Sequence, residues 1–122
     1  MRLTEAQQER YARHLLLDHL GGEGQERLLS SCVRIRGTGA AARWAARYLA
    51  ASGVGTLILE HEAAAAECRE LSPDVRILDP IDRDPDLEPD DDIEPDLDLN
   101  PPSPPERGAA AALTALRRLV RP

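Results

Sequence analysis

Residues 33–60 read VRIRGTGAAARWAARYLAASGVGTLILE and decide the fold of this chain. A short β-prone run is followed by a glycine turn, a helix-like run, a second glycine pair and another β-prone run. Apolar side chains in the helical part recur at i, i+3, i+4, i+7 and i+8, as Ala41, Trp44, Ala45, Tyr48 and Leu49. The stretch therefore predicts a strand–helix–strand unit of roughly 30 residues, with its two strands parallel.

The glycine turn follows the G-x-G-x-x-G/A pattern of nucleotide-binding folds, with Ala42 in the last position. Gly37 and Gly39 would let the backbone approach a phosphate at the N-terminus of the helix. Glu60 ends the second strand about 20 residues further on, where an acidic side chain meets a ribose hydroxyl in such folds. The pattern makes Gly37, Gly39 and Glu60 candidate cofactor-binding residues. The alternative is a tight strand-to-helix turn that holds no ligand.

The composition of the 122 residues narrows the function further. The formal charge is −7 and the isoelectric point about 4.9, which argues against nucleic acid or an anionic membrane as the main partner. All 15 basic residues are arginines, so this sequence offers no catalytic lysine. Cys32 and Cys68 lie far apart, without the spacing of a zinc site or a disulfide framework. With no recognisable leader and no long apolar run, a cytoplasmic location is expected.

Two helices are predicted before this unit. Thr4 and Gln7 form a capping-box pattern, which predicts a helix that continues to about residues 17–19. A glycine pair then breaks the helix, and a second short helix is predicted over residues 24–29. Together they form an N-terminal helical pair.

After the unit, the sequence predicts a helix over residues 62–71 and a strand over residues 75–78. Strands that alternate with helices in this way indicate a parallel sheet with right-handed crossovers. The predicted fold class is therefore α/β, with a minimal Rossmann-like parallel sheet of about three strands. This domain is expected to span residues 1–79.

The composition changes abruptly after Asp79. Residues 80–105 consist mainly of acidic residues and prolines, and proline removes backbone donors and blocks regular helices and ladders. This segment is predicted as an acidic proline-rich linker. Residues 106–122 return to a helical pattern and are predicted as a C-terminal helix.

The acidic linker supports a sharper hypothesis. The first strand alternates apolar and basic side chains, so one of its faces is basic. The three aspartates at residues 90–92 would then dock on basic side chains and mask them. The candidates are Arg34, Arg36, Arg43 and Arg47. The alternative is a free, solvated tether.

Three phrases of the sequence together resemble a known protein family. They are QERYARHLLLD at residues 8–18, GQERLL at residues 24–29 and YLAASGVGTL at residues 48–57. They resemble the opening helix, the second segment and the end of the first Rossmann helix of the ThiF/MoeB/HesA family, the bacterial relatives of ubiquitin-activating E1 enzymes. Residues 67–76, ECRELSPDVR, are similar to a helix-to-strand passage that family members carry further along.

The resemblance implies an ATP-dependent adenylyltransferase. Members of this family bind ATP·Mg, adenylate the C-terminal glycine of a ubiquitin-like sulfur carrier and work as dimers. By position in the motifs, Gly37 and Gly39 would lie under the nucleotide, and Glu60 would hold the ribose. Arg13 of the first helix would reach the ATP site of a partner subunit in trans. The expected partners are a second copy or a full-length ThiF-like protein, and a ubiquitin-like sulfur carrier.

The sequence also departs from the family pattern. Ala40 and Ala42 replace two glycines of the G-x-G-G-x-G loop, which argues against retained ATP binding. The family's catalytic lysine, its phosphate-binding arginine segment, its magnesium-binding aspartate and its zinc-binding cysteine pairs have no counterpart in these 122 residues. No catalytic residue is therefore assigned, and no zinc is expected.

Functions from different classes follow from these matches and departures. The leading interpretation is a degenerate, non-catalytic E1-like domain that acts as a protein-interaction or dimerisation partner. The second is a residual ATP-binding adenylyltransferase subunit, whose missing groups come from a partner chain. A third is a decayed gene product without a selected activity.

Overall fold

The computed structural model describes residues 26–81, 86–97 and 103–120. Residues 26–29 are helical and lead into strand β1, Cys32–Ile35. The remaining elements follow in chain order: helix α1, Ala40–Ser52; strand β2, Thr56–Leu59; helix α2, Glu62–Leu71; strand β3, Arg76–Leu78; strand β4, Asp91–Ile93; and helix α3, Pro104–Leu119. The first predicted helix and the start of the second lie outside the described residues.

The strands form one parallel sheet in the order β3-β2-β1-β4. Cys32 pairs with Thr56 and Ile35 with Leu59, which sets the register of the central pair. The α/β class and the parallel sheet are confirmed, with four strands instead of about three. All four strands run in the same direction, so the turns that follow β1, β2 and β4 meet at one edge of the sheet.

Strand β4 corrects the prediction for residues 80–105. Part of that segment, Asp91–Ile93, is no solvated linker but a strand that pairs with β1. The prolines of the segment lie outside the three paired residues, so none of them breaks the ladder. Ile93 is buried and contributes an aliphatic side chain to the core.

The core lies on the sheet face that carries the alternate residues of β1 and β2. Val33, Ile35, Leu57 and Leu59 pack there against helices α1, α2 and α3. The apolar stripe predicted for α1 is confirmed, because four of its five side chains are buried and Trp44 is partly buried. The core is rich in alanine, so the helices approach one another closely and little apolar area is buried per residue.

Glycines end α1 and shape the next turn, as the sequence predicts. Gly53 adopts the left-handed conformation, with φ of +100°, and its N–H donates to the carbonyl of Ala50. Gly55 lies against the backbone of Leu29, so closely that a Cβ would collide with its carbonyl oxygen. Each of these glycines therefore has a structural reason that requires no ligand.

Helix α2 has the bounds that the sequence predicts, and α3 begins slightly earlier than predicted. The predicted start of the last helix is residue 106, whereas the helix begins at Pro104. Proline suits the first turn because its missing N–H would have no partner there, and its φ is already helical. No helix among the described residues is long and apolar enough to cross a membrane.

Candidate functional site

The candidate site is the glycine turn between β1 and α1. Gly37 has a φ of +102°, a conformation that other residues rarely adopt. Gly39 is the N-cap of α1, and it has no side chain with which to cap the helix. The first N–H groups of a helix have no partner within the helix and carry a partial positive charge. The turn therefore presents backbone donors that need an acceptor from elsewhere.

Asp96 supplies that acceptor. One oxygen of its carboxylate accepts a hydrogen bond from the Gly39 N–H at 3.0 Å, and the other accepts from the Ala42 N–H at 3.2 Å. The side chain comes from the turn that follows β4, and this turn lies at the same edge of the sheet as the glycine turn. The N-terminus of α1 is thus capped by a carboxylate 54 positions away in the sequence.

The glycines make room for this carboxylate. An alanine Cβ at Gly39 would lie 2.5 Å from the nearer oxygen of Asp96, well inside contact distance. A Cβ at Gly37 would collide with the other oxygen. The positive φ of Gly37 and the close approach of Asp96 both suit glycine in this loop, without any nucleotide.

Glu60 also turns toward the loop. Its carboxylate accepts a hydrogen bond from the Gly37 N–H at 2.9 Å, although the side chain remains exposed. The next residue, His61, caps helix α2, since its Nδ1 accepts from the Ala64 N–H at 3.2 Å. The structure therefore brings together Gly37, Gly39 and Glu60, the three candidate residues within the described chain. Arg13, the fourth, lies outside the described residues.

A cleft opens beside Glu60, between the carboxyl ends of β2 and β3. It has a volume of about 350 Å³. Both charged and apolar side chains contribute to its walls, and they include Glu60, Glu62, Arg69, Ile77 and Asp79. In open parallel sheets, ligands bind at this edge, outside the carboxyl ends of the strands.

The arginines of α1 do not reach the loop. Arg43 forms two hydrogen bonds with Glu67 of helix α2, at 2.6 and 3.0 Å. Arg47 approaches the same carboxylate at 3.1 Å and also lies over the Trp44 ring, 5.0 Å from its centroid. The sequence places Arg47 off the apolar stripe, but its side chain is buried, because Glu67 and Trp44 provide partners for it.

These contacts shift the pKa of the groups involved. Hydrogen bonds from Arg43 lower the pKa of Glu67, and the nearby charges of Arg43 and Arg47 act in the same direction. Partial burial opposes the shift, because it disfavours the charged carboxylate. The Glu67 carboxylate therefore remains ionised and holds α1 against α2.

The acidic segment docks on one of the four arginines proposed for it. Arg36 forms a two-pronged ion pair with Asp92, with its closest N–O distance at 2.8 Å, and approaches Glu94 at 3.7 Å. The hydrogen bond from Arg36 lowers the pKa of Asp92. The predicted contact is therefore found for Arg36, Arg34 lies opposite Asp92 in the strand pair, and Arg43 and Arg47 pair with Glu67 instead.

The other two aspartates of this run have different partners. Asp91 pairs with Arg118 of α3 at 3.2 Å. Asp90 accepts a hydrogen bond from the Cys32 N–H at 2.8 Å, at the start of β1. The three aspartates thus hold β4 between β1 and α3, and they do not form a free acidic surface.

Asp96 is the functional-site residue that the sequence analysis missed. It stands in an acidic, proline-rich run, where a single aspartate has nothing to distinguish it. The feature of the sequence that could have pointed to Asp96 is its position three residues after Ile93, the one aliphatic residue of β4. Once that strand is known to be parallel to β1, the following turn must lie beside the glycine loop.

Neither cysteine points to a metal or a disulfide. Cys32 and Cys68 are both buried free thiols. Within residues 26–81, 86–97 and 103–120, no group of three or more His, Cys, Asp or Glu side chains is arranged to hold a metal ion. The burial of both cysteines fits a role as small apolar side chains in the core.

Comparison with known proteins relates the chain to adenylating enzymes. No protein-family model matches it. The SAMP-activating enzyme E1 of Haloferax volcanii is 37% identical over 100 aligned residues, which cover 62% of this chain and 37% of that protein. The sulfur carrier protein ThiS adenylyltransferase of Escherichia coli is 52% identical over 50 residues, 41% of this chain and 20% of the relative.

A third relative is also similar to this chain over only part of its length. The vegetative HesA protein of Trichormus variabilis is 47% identical over 57 residues, 47% of this chain and 22% of its own length. The chain thus spans well under half of the length of each of these relatives.

Proposed function

We propose that the chain is a divergent member of the ThiF/MoeB/HesA family, and that it is a non-catalytic E1-like domain that acts through protein contacts. Its partner would be a second copy or a full-length ThiF-like protein. The observation that carries the proposal is the occupation of the glycine loop. The N–H groups of Gly37, Gly39 and Ala42 already donate to carboxylates of the same chain.

The occupied loop is unfavourable for a nucleotide. A triphosphate bound at the N-terminus of α1 would need these N–H groups as donors. It would also have to approach two carboxylates, Glu60 and Asp96, that lie against the loop. Two unit charges of like sign 4 Å apart repel by about 1 to 4 kcal/mol at the dielectric constants of water and of protein surfaces.

Three arginines that flank the loop in the sequence are paired with carboxylates as well. Arg36 pairs with Asp92 and Glu94, and Arg43 and Arg47 share Glu67. Adenylation requires charge stabilisation on the transferring phosphates, which arginine, lysine and Mg²⁺ usually provide. These three arginines could take that role only by leaving their carboxylates.

The partner class comes from the relatives. By their names, one of them activates SAMP and another is an adenylyltransferase for the sulfur carrier protein ThiS. We propose that this chain joins such an activation system by binding the adenylyltransferase, with a ubiquitin-like sulfur carrier as a further partner of the complex. In this proposal, Arg13 of the first predicted helix contacts the neighbouring subunit.

Sedimentation velocity with a full-length ThiF-type enzyme tests the proposal. We expect a complex that the Arg13→Ala variant weakens and the Arg10→Ala variant leaves unchanged, since both remove one arginine from the same predicted helix. ATP–pyrophosphate exchange, measured on the complex, should not rise above that of the enzyme alone. Absence of a complex, or exchange stimulated by this chain, would contradict the proposal.

The second candidate function is an ATP-binding adenylyltransferase subunit that a partner chain completes. It is favoured by the retained backbone of the turn, with Gly37 at positive φ, and by the cleft beside Glu60. The exchange measurement separates the two, because only this function predicts exchange that depends on both chains. ATP would then be its cofactor, and Glu60 would have to release Gly37 to reach a ribose.

A further inference from the structure

The turn that carries Asp96 is held in place by the fold. Strand β4 pairs with β1 immediately before it, and the Arg36 N–H donates to the Ile93 carbonyl at 2.8 Å. Pro95 is buried, and the Leu97 N–H closes the turn on the Glu94 carbonyl at 3.2 Å. The position of Asp96 over the loop is therefore set by its neighbours on both sides.

The geometry of Asp96 resembles that of a bound phosphate group. Its two oxygens accept from two different N–H groups of one helix N-terminus, as two oxygens of a phosphate do at such sites. The residue is partly buried and carries a negative charge where the helix dipole favours an anion. A Cβ at Gly37 or Gly39 would collide with its carboxylate oxygens, so the loop and Asp96 fit closely together.

We propose that Asp96 is an intramolecular substitute for phosphate, and that it keeps the glycine loop closed to phosphate-containing ligands. The contact is autoinhibitory, because Asp96 and a phosphate group would compete for the same two N–H groups. This inference rests on the proposed function, in which the native loop holds no nucleotide, and it names the residue responsible.

The competition favours Asp96 because it belongs to the same chain. A tethered group acts at an effective concentration that is on the order of millimolar even for a flexible linker. Here the short β4 strand is also fixed by the pairs Arg36–Asp92 and Arg118–Asp91. A free phosphate ligand must therefore exceed a high local concentration of carboxylate, unless the turn is displaced.

Pyrophosphate binding by charge-neutral variants tests the proposal. Asp96→Asn retains a side-chain oxygen for one N–H group and removes the charge, and Asp96→Ala removes both. The control is Glu94→Gln, which removes a negative charge from the same turn but not from the loop, since Glu94 faces Arg36. Binding is followed by the amide resonances of Gly39 and Ala42 and by the melting temperature.

We expect pyrophosphate to bind Asp96→Asn at least about tenfold more tightly than the native chain or Glu94→Gln, given the effective concentration of a tethered group. It should shift the Gly39 and Ala42 resonances and raise the melting temperature of the variant. Equal affinity for variant and native chain, or no binding by either, would overturn the proposal and leave Asp96 as a helix cap only.

The choice of variants and one separate measurement keep this test distinct from that of the proposed function. If Asp96→Ala unfolds, Asp96→Asn decides the question, since it preserves the shape and an acceptor. Complex formation with the ThiF-type enzyme is measured separately on the native chain. Loss of that complex would refute the proposed function, whereas the pyrophosphate comparison would still decide the role of Asp96.

Discussion

Gly108 lies where helices α1 and α3 approach each other closely. A Cβ at this position of α3 would meet the backbone of α1, 2.7 Å from the Ala45 nitrogen and 2.9 Å from the Ala41 oxygen. Backbone atoms cannot give way as the end of a flexible side chain can. The alanines of both helices then fill an interface that larger residues would push apart.

Replacing Gly108 by alanine should destabilise the protein. The collision with α1 should cost about 1 to 3 kcal/mol, as overpacking in cores does. The intrinsic helix preference of alanine offsets at most about 1 kcal/mol of this. Urea unfolding measures the net change, which we expect to be a loss of stability.

The exposed Ala110 on the same helix provides the control. Ala110→Gly reports the helix preference alone, and it should cost about 1 kcal/mol without any change in packing. A Gly108→Ala variant that is more stable than the native protein would show that the helices separate at no cost, contrary to the packing described.

At the scale of elements, Glu67 joins α2 to α1 through Arg43 and Arg47. Since Arg43 lowers the pKa of Glu67 in the folded state, the unfolded chain binds the proton more readily. Ionised Glu67 therefore stabilises the folded state fully at pH values above 4.5, the usual pKa of a glutamate. This stabilisation is lost as the pH falls through the lower pKa of Glu67 in the folded state.

Glu67→Gln should therefore reduce stability at neutral pH more than in acid. The loss at pH 7 should be about 1 to 2 kcal/mol, in the range of hydrogen bonds to charged groups. Below the usual pKa of Glu67, the unfolding curves of variant and native protein should converge. Glu70→Gln, at an exposed position of the same helix, is the control and should show no such convergence. A constant difference across the pH range would contradict the role of the Glu67 charge.

Strand β4 is docked by charge as well as by backbone pairing. Arg36 and Asp92 are both substantially exposed, so salt should screen their attraction. We expect Asp92→Asn, or high salt on the native protein, to speed thermolysin cleavage within residues 79–97. Glu88→Gln removes the same charge from an exposed position and should leave the cleavage rate unchanged. Cleavage that responds to neither Asp92→Asn nor salt would show that backbone pairing alone holds β4.

The sequence predicts the α1 unit well and β4 poorly, for a physical reason. Residues 33–60 carry a continuous helical stripe between two strands with aliphatic side chains on the core face, so local pattern and tertiary structure agree there. Strand β4 has one aliphatic residue, Ile93, after two aspartates. It pairs with β1 and contacts Arg36 and Arg118, all distant in sequence, and no local pattern contains that information. The same is true of Asp96, whose role exists only once β4 lies beside β1.

At the scale of the whole molecule, the candidate site combines the backbone of a glycine turn with two carboxylates of the same chain. Gly37, Gly39 and Glu60 meet where the sequence predicts a nucleotide site, and Asp96 joins them from the acidic segment. Part of the negative charge of the chain is thus paired within the fold. Carboxylates accept hydrogen bonds from the loop N–H groups and form ion pairs with arginines. We propose on this basis that the fold serves protein contacts here.

Titration of the native chain with ATP·Mg, followed by the amide resonances of Gly39 and Ala42, tests this account most directly. With Asp96 in place, we predict that neither resonance moves at millimolar ATP. Saturable shifts of both resonances at micromolar ATP would contradict the account, because they would show that the loop still binds nucleotide phosphate in the native chain.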